Sequence, residues 1–141
     1  IIRIGLVLSV NGGILPRLAL PVRLFFGAAF GSGRQWQSWI HLSDLTRMFL
    51  EFSENEWYGL FNAVSPNPVT QRNFLKVLGQ SINRPVFFPN IPSSIIKLIL
   101  GERSILVLGS QKVSCDLIIE KGFSFKYNKL DEALENIYKK V

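Results

Sequence analysis

The amino-acid sequence predicts an α/β fold, on three observations. Ile1 to Ser9 form a nearly unbroken Ile/Val/Leu run that ends at the turn signal Asn11-Gly12-Gly13. A run without polar alternation suits a strand covered on both faces, as in a parallel sheet. Segments of helical periodicity and short strand-like runs then alternate to the end of the chain, and the composition, 48% hydrophobic and 18% charged over 141 residues, is globular.

Each element follows from local chemistry. Ile14 to Phe26 carries Pro16 and Pro21, which predicts short helical turns and loop rather than a regular helix. Gly27 to Gly33 reads as a flexible loop, and Trp39 to Leu42 as a short strand. Ser43 is positioned to cap a helix whose Leu45, Met48, Phe49 and Phe52 share one face as core. Tyr58 to Val64 reads as a strand closed by Ser65-Pro66-Asn67-Pro68. Thr70 caps a helix lined by Phe74, Leu78 and Ile82, and Val86 to Phe88 follows as a short strand. Pro92 and Ser93 open an apolar helix running to about Leu100. Ser114 caps another, which Gly122 ends in the left-handed conformation. Phe123 to Tyr127 alternates like a strand. The last helix turns Leu130, Ala133, Leu134, Ile137 and Tyr138 inward, with Asp131 and Glu132 in its first turn and Lys139 and Lys140 in its last, as the macrodipole favours.

Charge narrows the partners. The net charge is +6, and up to Arg47 the cations are all arginine (Arg3, Arg17, Arg23, Arg34, Arg47) against the single acid Asp44. A guanidinium offers a planar bidentate fork to phosphate, whereas the lysines interleaved with acids near the end read as a solvated face. The single Cys115 excludes an internal disulfide and a cysteine-rich metal site, and fits a reducing compartment, hence a cytoplasmic location. His41 alone cannot build a multi-histidine site, so no metal is expected. The most apolar stretch, Ile14 to Phe30, is broken by prolines and arginines and does not span a bilayer. Ile1 stands where a translation start would place Met, so the chain is expected to begin inside something larger.

No complete catalytic set is present. Gly27, Gly31 and Gly33 lack the strand–turn–helix context of a phosphate-binding glycine loop. Tyr58, Tyr127 and Tyr138 each lack a lysine four residues on, the acid/base pair of short-chain reductases. What remains is Gly31-Ser32-Gly33-Arg34-Gln35-Trp36, followed by Trp39, His41 and Asp44. In a ligand site the glycines let the loop close, Arg34 pairs with an anion, Gln35 hydrogen-bonds and Trp36 stacks on a flat ring. Alternatively both tryptophans are core aromatics and His41 is a satisfied structural histidine. The residues alone leave both readings open.

The order of motifs adds a resemblance. Arg3-x-Gly5-x-Val7-Leu8-Ser9, Gly12-Gly13 and Gly31-Ser32-Gly33-Arg34-Gln35-Trp36-x-Ser38-Trp39-Ile40-His41-x-x-Asp44-Leu45 come first. Asn62-x-x-x-Pro66-Asn67-Pro68-Val69-Thr70, Arg84-Pro85 and Gly122-Phe123-x-Phe125-x-Tyr127 with Glu132-Ala133-Leu134 follow. Together they resemble the epimerase-like extended short-chain dehydrogenase/reductases that end in a small domain of unknown function. Cys115, near a position where proline is expected, is a minor departure.

That resemblance implies the carboxyl-terminal portion of an NAD(P)-binding Rossmann-type protein with a small α+β substrate-side region. Residues 1–90 would be the late Rossmann strand and substrate region, and 91–141 the small terminal domain. The missing amino-terminal Rossmann half would carry the glycine motif and the catalytic tyrosine and lysine. Gly5 and Val7 are then the candidates for cofactor contact, mainly through backbone, and Arg34, Gln35 and Trp36 for substrate contact. The implied cofactor of the complete protein is NAD(P), with NADP favoured, and this chain alone is expected neither to hold it tightly nor to be active. The implied substrate is a small molecule of the nucleotide-sugar class, and the fold does not fix the reaction. Two other classes stand beside this one: a basic binding module for nucleic acid or a protein, which lacks any recognition motif or lysine–aromatic stripe, and a dimerisation role for the tail from Pro92.

Overall fold

Gly5 divides the first apolar segment into two short strands, β1 (Ile2–Ile4) and β2 (Leu6–Leu8), in the computed structural model, which describes residues 1–87 and 89–139, the side chains of 99, 100, 103, 106 and 107 excepted. The remaining elements follow in chain order: α1 (Leu15–Arg23), β3 (Trp36–Gln37), β4 (Trp39–His41), α2 (Leu42–Glu54), β5 (Phe61–Ala63), β6 (Val69–Thr70) and α3 (Gln71–Ser81). Beyond them lie α4 (Ser93–Leu100), a 3-10 turn (Gly101–Arg103), α5 (Ser104–Leu108), α6 (Asp116–Glu120) and α7 (Leu130–Lys139).

The first segment changes partner at Gly5. β1 pairs in parallel with β5, Ile2 opposite Phe61, and β2 pairs in parallel with β4, Leu6 opposite Trp39. Phe61 N–H donates to the Ile1 carbonyl (2.9 Å) and Gly5 N–H to the Ala63 carbonyl (3.2 Å), whereas Leu6 N–H donates to the Ser38 carbonyl (2.8 Å). Backbone groups alternate in direction along a strand, so odd positions face β5 and even positions face the opposite edge. From Leu6 onward β4 occupies that edge. At Ile2 and Ile4 no strand does, among the described residues. A side chain at position 5 would not fit: a Cβ there would lie 2.5 Å from the Ser38 carbonyl oxygen and 2.7 Å from Val64 Cγ1.

Helices cover both faces of these strands. Leu8 and Trp39 pack with Leu15, Ala19 and Val22 of α1, Phe74 and Leu78 of α3, and Leu134 of α7. Val7 and Ile40, next in register, point the other way into Leu45 and Met48 of α2, Phe61, Ile118 of α6, Phe123 and Phe125. The expectation of a two-sided apolar strand therefore holds at β2. It does not hold along β1, where Arg3 is exposed and Ile4 is 49% exposed.

Several local expectations need correction. Within Ile14 to Phe26, Leu15–Arg23 form one regular helix: Pro16 sits in the first turn, where no intrahelical N–H is needed, and Pro21 is carried inside the helix two residues before its end. The cap of α2 is His41, whose Nδ1 accepts from Ser43 N–H at 3.1 Å, so Ser43 lies inside the first turn. Phe49 is exposed, leaving Leu45 and Met48 as the buried residues of that face. Thr70 caps α3 as expected, its hydroxyl accepting from Asn73 N–H. The strand at Tyr58 to Val64 shortens to β5, and Val86 and Phe87 form none; Phe88 and Lys140 lie outside the described residues. Ser114 Oγ accepts from Asp116 N–H (3.0 Å) at the start of α6, and Gly122 takes φ +93° beyond its end.

Phe123, Phe125 and Tyr127 are buried in alternation, yet no strand forms there. Their backbone is engaged by a side chain instead. The fully buried Asp44 accepts from Lys126 N–H and Tyr127 N–H, both at 2.9 Å, and from Arg47 Nη1 at 2.9 Å.

Candidate functional site

The loop between α1 and β3 is built around buried amides. Gly33 N–H donates to the Phe30 carbonyl (3.1 Å), closing a turn in which Gly33 takes φ +67°. A Cβ there would also meet Ala29 Cβ at 3.0 Å, a tight contact that adds to the backbone preference for glycine. Gln35 is buried, and its Nε2 donates to the Phe30 carbonyl (2.9 Å) and to Gln71 Oε1 (3.0 Å), which also accepts from Phe30 N–H (2.9 Å). This network fixes the loop against the start of α3.

The same loop is tied to the carboxyl-terminal region. Gly31 N–H donates to the Ile91 carbonyl (2.7 Å), and Ile91 N–H to the Ala29 carbonyl (2.8 Å). Trp36 N–H donates to Ser110 Oγ (3.0 Å), and Gln111 N–H to the Trp36 carbonyl (3.1 Å). Ser38 Oγ donates to the Gln111 carbonyl (2.7 Å) and accepts from Val113 N–H (3.0 Å).

Between these two regions lies an open cavity of about 520 Å³, lined by Gly31, Ser32, Arg34 and Gln35 on one side and Ser93, Lys97, Leu108 and Ser110 on the other. Of the expected substrate residues, Arg34 and Gln35 reach it. Trp36 lies outside its lining, half-buried, with the Lys112 ammonium 4.6 Å from the ring centroid. Gly5, between β1 and β2, and Val7, on β2, do not line this cavity, Gly5 being wedged against Ser38 and Val64 and Val7 packed in the α2 core. His41 caps α2 and its ring lies 4.1 Å from that of Tyr127. Since Nδ1 accepts a backbone N–H, the proton of the neutral ring is on Nε2.

The other arginines are largely engaged. Arg23 lies over the Tyr138 ring, Arg84 over Phe25, and Arg47 over Phe123 while pairing with Asp44. Ser93, Lys97 and Ser110 escaped sequence reasoning. The available signal was Lys97, the one charge in the apolar helix Ser93–Leu100, but its relation to Arg34 is purely tertiary. Burial pushes the Cys115 thiol above its ordinary range, with the neighbouring Asp116 carboxylate adding to the effect, so it is no candidate nucleophile. Among the described residues no helix is long and apolar enough to cross a membrane.

Comparison with known proteins gives a consistent picture. Residues 91–137 match a family described as a domain of unknown function, DUF1731. An epimerase family protein of Staphylococcus epidermidis is 40% identical over 138 residues, which cover 97% of this chain and 46% of the relative. The crystal structure of a human epimerase family protein with NADPH superposes with a TM-score of 0.91 at 32% identity, over 99% of this chain and 48% of that one. A nucleoside-diphosphate sugar epimerase from Corynebacterium glutamicum gives a TM-score of 0.72 at 29% identity, over 97% of this chain and 25% of the other. The chain thus spans about half the length of these two epimerase family relatives. In sequence and in its α/β fold, it corresponds to the carboxyl-terminal part of an epimerase-like extended short-chain dehydrogenase/reductase.

Proposed function

We propose that this chain is the substrate-side half of an NAD(P)-dependent, epimerase-like oxidoreductase acting on a nucleotide-sugar, completed by a dinucleotide-binding half. The observation that carries the reading is the vacant edge of β1. Among the described residues this parallel strand has one neighbour, and the apolar side chains of Ile2 and Ile4 beside its open edge support reading it as an interior strand of a larger sheet. The NADPH in the human relative favours NADP as the cofactor of the complete protein.

In this reading residues 1–90 supply the late sheet strand and the substrate loop, and 91–141 form the small terminal domain that closes over it; the protein acts in the cytoplasm. Gly5 and Val7 lie on the strand whose carboxyl end faces the nicotinamide. The residues here fit only that end of the cofactor: Gly12, past β2, has open space around it, while no glycine loop suited to pyrophosphate is present. When bound, the nicotinamide supplies hydride transfer, and a tyrosine and lysine of the other half move the proton. This chain orients the substrate through Arg34, which faces the cavity, and Gln35, which holds the loop, while Trp36, outside the cavity lining, supports the loop from beside it.

Titrating the protein with NADPH while following its tryptophan fluorescence tests this. The expected outcome is no tight saturable change for this chain alone, and saturable binding once the dinucleotide-binding half of the S. epidermidis relative is added. Tight binding by the chain alone would contradict the proposal.

A further inference from the structure

We propose that the outer face of α1, with the turn that ends it, is a contact surface for an anionic lipid bilayer, on which the protein rests peripherally. The inference does not depend on the nicotinamide chemistry.

The solvent side of α1 is not polar. Leu15, Ala19 and Val22 bury one side of the helix in the core. On the other side Leu20 lies one turn from Arg17, Arg23 and Leu24, and all four are exposed. Leu20, Leu24, Phe25 and Phe26 are between 52% and 65% exposed, so large apolar side chains cluster at the end of the helix with arginines at their margin.

The backbone holds one of these side chains out at a cost. Phe26 N–H donates to the Pro21 carbonyl (2.8 Å) and Phe25 N–H to the Val22 carbonyl (3.1 Å). This pair of bonds closes a helix through a left-handed residue, a place that glycine usually fills. Here it is Phe25, at φ +63°. A bulky residue in that region is strained, and its ring gains no place in the core. It lies exposed instead, with the Arg84 guanidinium 4.7 Å from the ring centroid. Strain kept without a packing return marks a side chain that is presented outward.

Charge selects the occupant. Ile1 to Ser43 and Trp57 to Gly101, which supply α1, α3 and Arg84, contain no aspartate or glutamate. α7 reaches this face through Tyr138, beside Arg23; its Glu132 and Glu135 are each paired with a lysine, and Asp131 lies at its other end. Arg17, Arg23 and Arg84 belong to no ion pair among the described residues. A nucleic acid would neutralise the arginines but leave Leu20 and Leu24 in water. An anionic bilayer accommodates both groups, the guanidinium forks at the lipid phosphates and the leucine and phenylalanine side chains at the acyl boundary.

Cosedimentation with vesicles of equimolar phosphatidylcholine and phosphatidylglycerol tests the surface. The chain should bind these vesicles, more weakly as salt is added, and should not bind phosphatidylcholine alone. Leu24→Ser should weaken binding about tenfold and Arg17→Ala severalfold. Phe25→Gly should also weaken it severalfold while leaving the thermal unfolding midpoint unchanged or raised, because glycine relieves the left-handed strain. A residue kept only for the fold would show the opposite pattern. Lys121→Ala, just past α6 on the other core, should change nothing. Failure to bind the anionic vesicles, equal binding to the neutral ones, or indifference to Phe25→Gly and Leu24→Ser would overturn the proposal. So would a dimer, or a complex with a dinucleotide-binding half, that these two substitutions dissolve in the absence of any vesicle binding.

Discussion

Asp44 shows how much one buried side chain can organise. Its carboxylate anchors the amides of Lys126 and Tyr127 to the first turn of α2, and so joins residues more than 80 positions apart. Asp44→Ala should cost about 3 kcal/mol in chemical denaturation, because a buried and a part-buried N–H group lose their acceptor. Arg47→Ala should cost about 1 kcal/mol or less, since Arg47 is 43% exposed and its pairing is screened. Cys115 offers a second check at this scale. With its thiol pushed upward by burial and by Asp116, it should react with a thiol reagent only after unfolding. The sign for stability follows from that direction: the folded state favours the protonated thiol, so the contribution is full below the ordinary thiol pKa. It is lost as pH rises through the elevated folded value. A denaturation series from neutral to alkaline pH should show that fall, and Cys115→Ser should flatten it.

The elements were legible wherever a local rule decided them. Thr70 carries a hydroxyl three residues before the N–H it accepts, and its cap was readable for that reason; Thr70→Ala should destabilise the fold by about 1 kcal/mol in the same denaturation assay. Pro16 misled because a proline in the first turn removes no needed N–H, whereas Pro21 does lie inside α1, which ends two residues after it. The period-two pattern of Phe123 to Tyr127 was a true signal of burial and a false one of pairing, since a carboxylate took the place of a neighbouring strand. Gly5 was legible as a residue worth naming, but the close approach that demands it was not. Gly5→Ala should cost about 1–3 kcal/mol or prevent folding, because the new Cβ would clash with the Ser38 backbone as well as with the Val64 side chain. The cavity was half legible. Arg34 and Gln35 stood in a conspicuous motif, while Lys97 and Ser110 enter only through the packing of a distant segment.

For the whole molecule, the two packed faces differ in completeness from the edge they flank. α7 closes one core and α6 the other, so the last third of the chain is integral to both. β1, in contrast, has one neighbour among the described residues. Hydrogen exchange should therefore be fast at the Ile2 and Ile4 amides and slow at Leu6, which donates to Ser38, and joining the dinucleotide-binding half should slow the first two. Equal protection at all three in the chain alone would contradict the topology. The switch of partners at Gly5 also sets a ruler for whatever docks there. Among the described residues the stretch from Ile2 to Ile4 is vacant on that side, about 10 Å of ladder at the usual rise per residue. Past Gly5 the berth is taken by β4, and a newcomer running parallel must peel away from the sheet at that point. Two backbones diverging from a common neighbour leave a fork between them, and the mouth of that fork would open at the carboxyl end of the sheet.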